Sequence, residues 1–195
     1  AAMTVPELVG QLLMPAYLID VNGAAVTTLV PELSDLFVEI QPGGFLLFAA
    51  NISTPDQVRS LVTDLQQTVS IPLLIGIDQE GGVVRRLVPS DTMPVTEIPS
   101  ASRVGRSADP ELAFQLAAVI ARELRSLGIN LNLAPVADVL TNPDNPVIGS
   151  RAYGTDPDTV GAMVEATVRG LQMNGVSAAL KHFPGHGDTL EDSHI

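Results

Sequence analysis

Residues 72–82 read PLLIGIDQEGG, a short apolar run that ends abruptly in a carboxylate and two glycines. Leu73, Leu74, Ile75 and Ile77 leave no polar face, so the run suits a strand buried on both sides rather than a half-exposed one. Its polar residues, Asp78, Gln79 and Glu80, are packed into the turn that follows. Four more runs have the same apolar character: QLLMPAYL (11–18), GGFLLFAAN (43–51), INLNLAPV (129–136) and VSAALKHF (176–183).

Amphipathic segments separate them. STPDQVRSLVTDLQQTV (53–69) opens with a Ser/Thr-Pro-Asp start and puts Val58, Leu61, Val62 and Leu65 on one face. DPELAFQLAAVIARELRSLG (109–128) and DPDTVGAMVEATVRGLQMNG (156–175) begin with Asp-Pro and stop at Gly128 and Gly175, the cap asymmetry of a helix. Doubly buried strands alternating with such helices predict a parallel α/β sheet covered by helices. Chemistry-bearing residues directly follow successive strands: DQEGG the third, the Ala-Asp of PVAD the fourth, KHFPGHGD the fifth. In a (β/α)8 barrel all these loops meet on one rim, whereas in an open sheet only those at the switch point do, so the pattern favours the TIM-type barrel. Only about the first five β/α units are found, against eight in a complete barrel. The expectation is therefore that residues 1–195 are the N-terminal portion of a single barrel domain. A second copy or a partner could cover the open sheet edge, so self-association is expected there.

The 195 residues carry 10 Lys and Arg against 22 Asp and Glu, a formal net charge of -12. That balance argues against nucleic acid or an anionic membrane surface as partner. There is no cysteine, which excludes disulfides and Cys-bound zinc and leaves the compartment open. No apolar run approaches the roughly 20 residues of a membrane span, and no signal peptide is visible.

Several residues are candidates for chemistry. Asp78, at a strand end, can accept hydrogen bonds from two neighbouring hydroxyls, and Gly81 and Gly82 let the backbone turn sharply beside it, with Arg85 and Arg86 following. Arg151, in NPVIGSRAYG (145–154), is a natural partner for a carboxylate or a carbonyl. All three histidines and the only lysine, Lys181, fall in the last fifteen residues, KHFPGHGDTLEDSHI. His182, His186 and Asp188, joined by Asp192 and His194, offer nitrogen and oxygen ligands for zinc or manganese, although their spacing matches no standard metal signature. In the extended stretch Asp192-Ser193-His194 the carboxylate and the imidazole point the same way, so Asp192 can orient His194 for proton transfer. Ser193 lacks the glycine-flanked sharp turn of a nucleophilic serine.

KHFPGHGDTLEDSH, with DQEGG upstream and SRAYG between, closely resembles the β-N-acetylhexosaminidases of glycoside hydrolase family 3 over essentially the whole chain. The resemblance implies a (β/α)8-type barrel, a retaining double displacement and no cofactor or metal. It implies that His194 is the general acid/base held by Asp192, and that Asp78, Arg86, Arg151, Lys181 and His182 line the sugar site. The substrate implied is terminal β-linked N-acetylglucosamine on a muropeptide or chitooligosaccharide. Val83 stands where the family often has arginine. The family's nucleophile is an aspartate on a much later strand, expected beyond residue 195. Two other readings remain open from the residues: a non-catalytic sugar-binding half-barrel, and a metal-dependent hydrolase built on His182, His186 and Asp188.

Overall fold

The computed structural model describes residues 3–192 and divides into two compact units. The first comprises residues up to Ile77, then Arg86–Val95 and Leu124–Leu131; the second comprises Asp78–Arg85, Thr96–Glu123 and the chain from Asn132 onward.

In the first unit, α1 (Val5–Gly10) and α2 (Pro31–Ile40) precede β1 (Gly44–Leu47), α3 (Pro55–Gln67) and β2 (Leu74–Ile77). The two strands pair in parallel, Gly44 opposite Leu74 and Leu47 opposite Ile77. α3 begins as its sequence predicts, with Pro55 in its first turn and the Thr54 hydroxyl accepting from the Gln57 N–H. It buries the expected stripe of Val58, Leu61, Val62 and Leu65. Phe37 of α2 meets Phe45 of β1 edge-to-face at 5.8 Å, and both are completely buried. The run 11–18, expected as a strand, is not one. It lies alongside β1 through irregular bonds, the Leu46 N–H donating to the Pro15 carbonyl at 2.9 Å and the Gly43 N–H to Leu13 at 3.0 Å. Pro15 has no N–H to return, and a regular ladder cannot form through it. Next to β2, Asn130 reaches across in place of a longer strand: its Oδ1 accepts from Ile75 N–H at 2.7 Å and its Nδ2 donates to the Leu73 carbonyl at 3.1 Å.

In the second unit lie α4 (Ala101–Gly105), most of α5 (Pro110–Ser126), α6 (Pro157–Gln172) and β4 (Ser177–Ala178); β3 (Leu131–Asn132) contributes its second residue. Asp109 caps α5 by accepting from Glu111 N–H at 3.0 Å, and Asp156 caps α6 by accepting from Thr159 N–H at 2.9 Å. The stop after α6 at Gly175 is confirmed by a left-handed φ of 78°. Val104, Ala113, Met163 and Ala166 form a buried cluster with Leu112, Phe114, Leu116 and Tyr153 against it. Beyond β4 the chain runs beside the segment after β3: Ala179 N–H donates to Asn132, Lys181 N–H to Pro135, and Ala137 N–H to Lys181, the last at 2.7 Å. The strands are shorter than the apolar runs that predict them, yet parallel strands alternating with helices give the α/β, TIM-type architecture expected. Among the described residues no helix is long and apolar enough to cross a membrane.

Candidate active site

Three loops of the second unit build the site. The first carries Asp78 and Glu80, and it is fixed by the buried Asn132 side chain, whose Oδ1 accepts from Gln79 N–H at 3.0 Å while its Nδ2 donates to the Gln79 carbonyl at 2.9 Å. With Gln79 held in that way, the side chains on either side of it, Asp78 and Glu80, point together. The turn then needs its glycines. Gly81 and Gly82 have φ of +93° and +57°, and a β-carbon on Gly81 would stand 2.7 Å from the Ile98 side chain. The second loop carries Asp138 and, further on, Arg151. The third is the segment from Lys181 to Asp192.

Their side chains join in a line of alternating sign. Lys181 Nζ lies 2.7 Å from Asp78 Oδ1 and 2.6 Å from Glu80 Oε1. Glu80 also takes a two-pronged grip on Arg151, from Nε at 3.0 Å and from Nη2 at 2.9 Å. The same Arg151 Nη2 reaches His182 Nε2 at 3.1 Å, and His182 Nδ1 lies 2.7 Å from Asp138 Oδ2. Because a guanidinium can only donate, Nε2 is the acceptor, and Nδ1 carries the hydrogen toward Asp138; His182 is thereby the neutral Nδ1–H tautomer. Three carboxylates and two full cations leave one excess negative charge. The Glu80 and Asp138 side chains are 6% and 1% exposed, so neither charge is screened by bulk water.

Burial works against the charge on Arg151, but the hydrogen bond and charge of Glu80, with Asp78 and Asp138 behind, outweigh it and raise the guanidinium above its ordinary value. Below the line, Tyr153 donates to or accepts from Thr167 Oγ1 at 2.7 Å. Burial pushes its phenol above the ordinary 10.0, the Glu80 charge adds to that, and the Thr167 bond opposes it.

Asp138 does more than orient His182. Its Oδ2 also accepts from the His182 N–H at 3.2 Å, and its Oδ1 accepts from the buried His186 N–H at 2.7 Å. Asn145 continues the anchoring, donating to the His186 carbonyl at 2.7 Å and accepting from Val147 and Ile148 N–H. Gly187 fits flat on the backbone of Val139, where a β-carbon would come within 1.8 Å of the carbonyl oxygen. Past this anchored stretch an open cleft of about 720 Å³ is walled by Val147, His182, Phe183, His186, Leu190 and Asp192. That is the size of a small-molecule site.

Of the residues named from the sequence, Asp78, Arg151, Lys181 and His182 are brought into one network, and Asp192 shares the cleft with His182. Arg86 belongs to the first unit, where its guanidinium stacks over the Phe48 ring at 5.3 Å. His194 and Ser193 lie outside the described residues. Glu80 and Asp138, the two most buried charges of the network, stand in the loops that the sequence marks but are given no site role there. Glu80 had a legible signal, standing two residues from Asp78 at a strand end; Asp138 has the same position after the next apolar run. His182, His186 and Asp188 do not assemble as metal ligands. His186 Nδ1 pairs with Thr189 Oγ1 at 2.6 Å and Asp188 accepts from Thr141 at 2.8 Å. Among the described residues no group of three or more His, Asp or Glu side chains is arranged to hold a metal.

The chain is similar to several known proteins. A Beta-hexosaminidase A of Pseudoalteromonas piscicida is 43% identical over 176 residues, 88% of this chain and 29% of its own length. A Beta-hexosaminidase of Xylella fastidiosa (strain M12) is 38% identical over 175 residues, covering 89% of this chain and 52% of its own. The solved glycoside hydrolase family 3 β-N-acetylglucosaminidase from Paenibacillus sp. str. FPU-7 superposes with a TM-score of 0.91 at 43% identity, over 99% of this chain and 35% of that one. The chain thus spans between about a third and a half of the length of these relatives. The model of the glycosyl hydrolase family 3 N terminal domain matches residues 4–195, and the chain belongs to that family.

Proposed function

We propose that this chain supplies the sugar-binding wall and the acid/base of a retaining β-N-acetylhexosaminidase that removes terminal β-linked N-acetylglucosamine from muropeptide or chitooligosaccharide fragments. The observation that carries the reading is the single network from Asp78 to Asp138, built by three loops of a chain whose relatives are named for this activity. A family match that spans residues of both compact units supports treating them as one domain.

Donor accounting supports a sugar-binding role for this wall. Lys181 has three N–H groups, of which Asp78 and Glu80 take two. Arg151 has five; Glu80 takes two, His182 one and the Val147 carbonyl one. Each cation therefore keeps one donor for a hydroxyl or acetamide oxygen, and the carboxylate of Asp78 accepts from sugar hydroxyls.

In the proposed first step a carboxylate attacks the anomeric carbon, the bond to the leaving oxygen breaks, and the His194 imidazolium gives that oxygen its proton. In the second, neutral His194 takes a proton from water as the water displaces the carboxylate. Asp192 holds the imidazole in place. Asp78, Glu80 and Asp138 are all engaged by cations or N–H donors, and the reading gives them binding and positioning roles. As the family resemblance implies, the nucleophile is assigned to an aspartate beyond residue 195, and the proposed steps invoke no cofactor.

The test is release of 4-nitrophenol from its N-acetyl-β-glucosaminide. The full-length protein is expected to turn over and to lose about 100-fold or more on His194→Ala, the usual weight of general acid–base catalysis. The 195-residue chain alone is expected to bind N-acetylglucosamine with little turnover. An unchanged rate in His194→Ala would remove that residue from its role, and absence of both binding and turnover would remove the function.

A further inference from the structure

We propose that Glu80 is a positioning residue: its buried carboxylate sets the geometry of both site cations and, through Arg151, fixes the tautomer of His182. The role assigned to the site rests on the glycosidase reading; the effect on His182 does not.

The argument begins with placement. Glu80 is 6% exposed and touches both cations of the network, Lys181 through Oε1 at 2.6 Å and Arg151 through both oxygens at 2.9 and 3.0 Å. Lys181 and Arg151 would repel one another without an anion between them, and in a site sheltered from water that repulsion is weakly screened. Glu80 holds the guanidinium by two parallel bonds, which fixes its plane as well as its position. In that plane Nη2 has a hydrogen directed to His182 Nε2 at 3.1 Å. Occupation of Nε2 by a donor leaves the ring hydrogen on Nδ1, where Asp138 accepts it at 2.7 Å. Two carboxylates thus act on one imidazole from opposite ends, Asp138 directly and Glu80 through a guanidinium. Val147 adds only a single bond to Arg151 at 3.3 Å, too little to keep the plane alone.

The substitution Glu80→Gln retains the size but removes the charge and offers one acceptor oxygen, so it cannot grip Nε and Nη2 while also meeting Lys181. The readout is the ¹⁵N spectrum of the His182 ring in the 195-residue chain, assigned by its loss in His182→Gln. Wild type is expected to show a pyrrole-like Nδ1 and a pyridine-like Nε2. In Glu80→Gln that distinction should collapse toward averaged shifts, and N-acetylglucosamine affinity in the same sample should fall about tenfold, as loosened geometry disperses the remaining donors. Glu80→Asp, charged but one methylene short, decides the matter if the glutamine variant fails to fold: it should show the same collapse in part. A wild-type Nε2–H tautomer, or an unchanged His182 pattern in a folded variant, overturns the proposal. The spectrum is recorded without sugar. Failure of the wild-type chain to bind N-acetylglucosamine would therefore count against the glycosidase reading alone, and the ring nitrogens would still decide the role of Glu80.

Discussion

Replacing Asp138 by alanine removes an acceptor on which three donors converge: His186 N–H at 2.7 Å, His182 N–H at 3.2 Å and His182 Nδ1 at 2.7 Å. The His186 N–H is buried and is left unsatisfied, while the His182 groups are partly exposed and can recover water. Hydrogen bonds to a charged acceptor are worth about 1.5–3 kcal/mol each, so one bond at full weight and two at a discount give a loss of about 3–4 kcal/mol. For a chain of this size each kcal/mol moves the midpoint by about 2–4 °C, which places the expected fall in Tm on the order of 10 °C. Asp138→Asn should lose less, because its remaining carbonyl oxygen still satisfies one end of the segment. Thermal unfolding followed by circular dichroism gives the three midpoints directly. An alanine variant melting within about 2 °C of wild type would mean that the Asp138 clamp does not hold this segment, and the reasoning would fail.

Two further outcomes follow from the same unit. Asn132→Asp keeps the shape but loses the Nδ2 donor and sets an anion against the Gln79 carbonyl; about 2 kcal/mol or more of destabilisation is expected, readable as a shift of the urea midpoint, and a neutral result would deny the amide pair its place in holding Asp78 and Glu80. The Tyr153 phenol has a folded pKa above its unfolded value, so its contribution to stability is complete below pH 10 and is lost as pH climbs through the folded value. An absorbance titration should show Tyr153 ionising above 10.0, and ionisation at or below 10.0 would contradict the burial.

The long helices were legible because their ends are written in the chain: Thr54-Pro55, Asp109-Pro110 and Asp156-Pro157 each open one, and the apolar stripe does the rest. The strands were legible in place but not in length. In the INLN stretch the side-chain amides of Asn130 and Asn132 make bonds that backbone ladders would otherwise make, and apolar patterning carries no sign of that. The run at 11–18 misled because its composition is strand-like while Pro15 denies it a ladder. In the site, Asp78, Arg151, Lys181 and His182 were found through motifs. Asp138 was visible as a polar residue after a strand, but its role was not, since that lies in contacts with His182 and His186, more than forty residues away, and a one-dimensional spacing does not encode them.

The grip of Asp138 on the N–H groups of both His182 and His186 pins residues 183–185 as a short closed loop, and at its tip the Phe183 side chain is 98% exposed. The chain contains no tryptophan. An indole installed at position 183 would thus be a solitary fluorophore, mounted on the cleft wall without entering the network beneath it. Its emission would report arrival of a sugar in real time, and would do so in a protein otherwise dark at that wavelength.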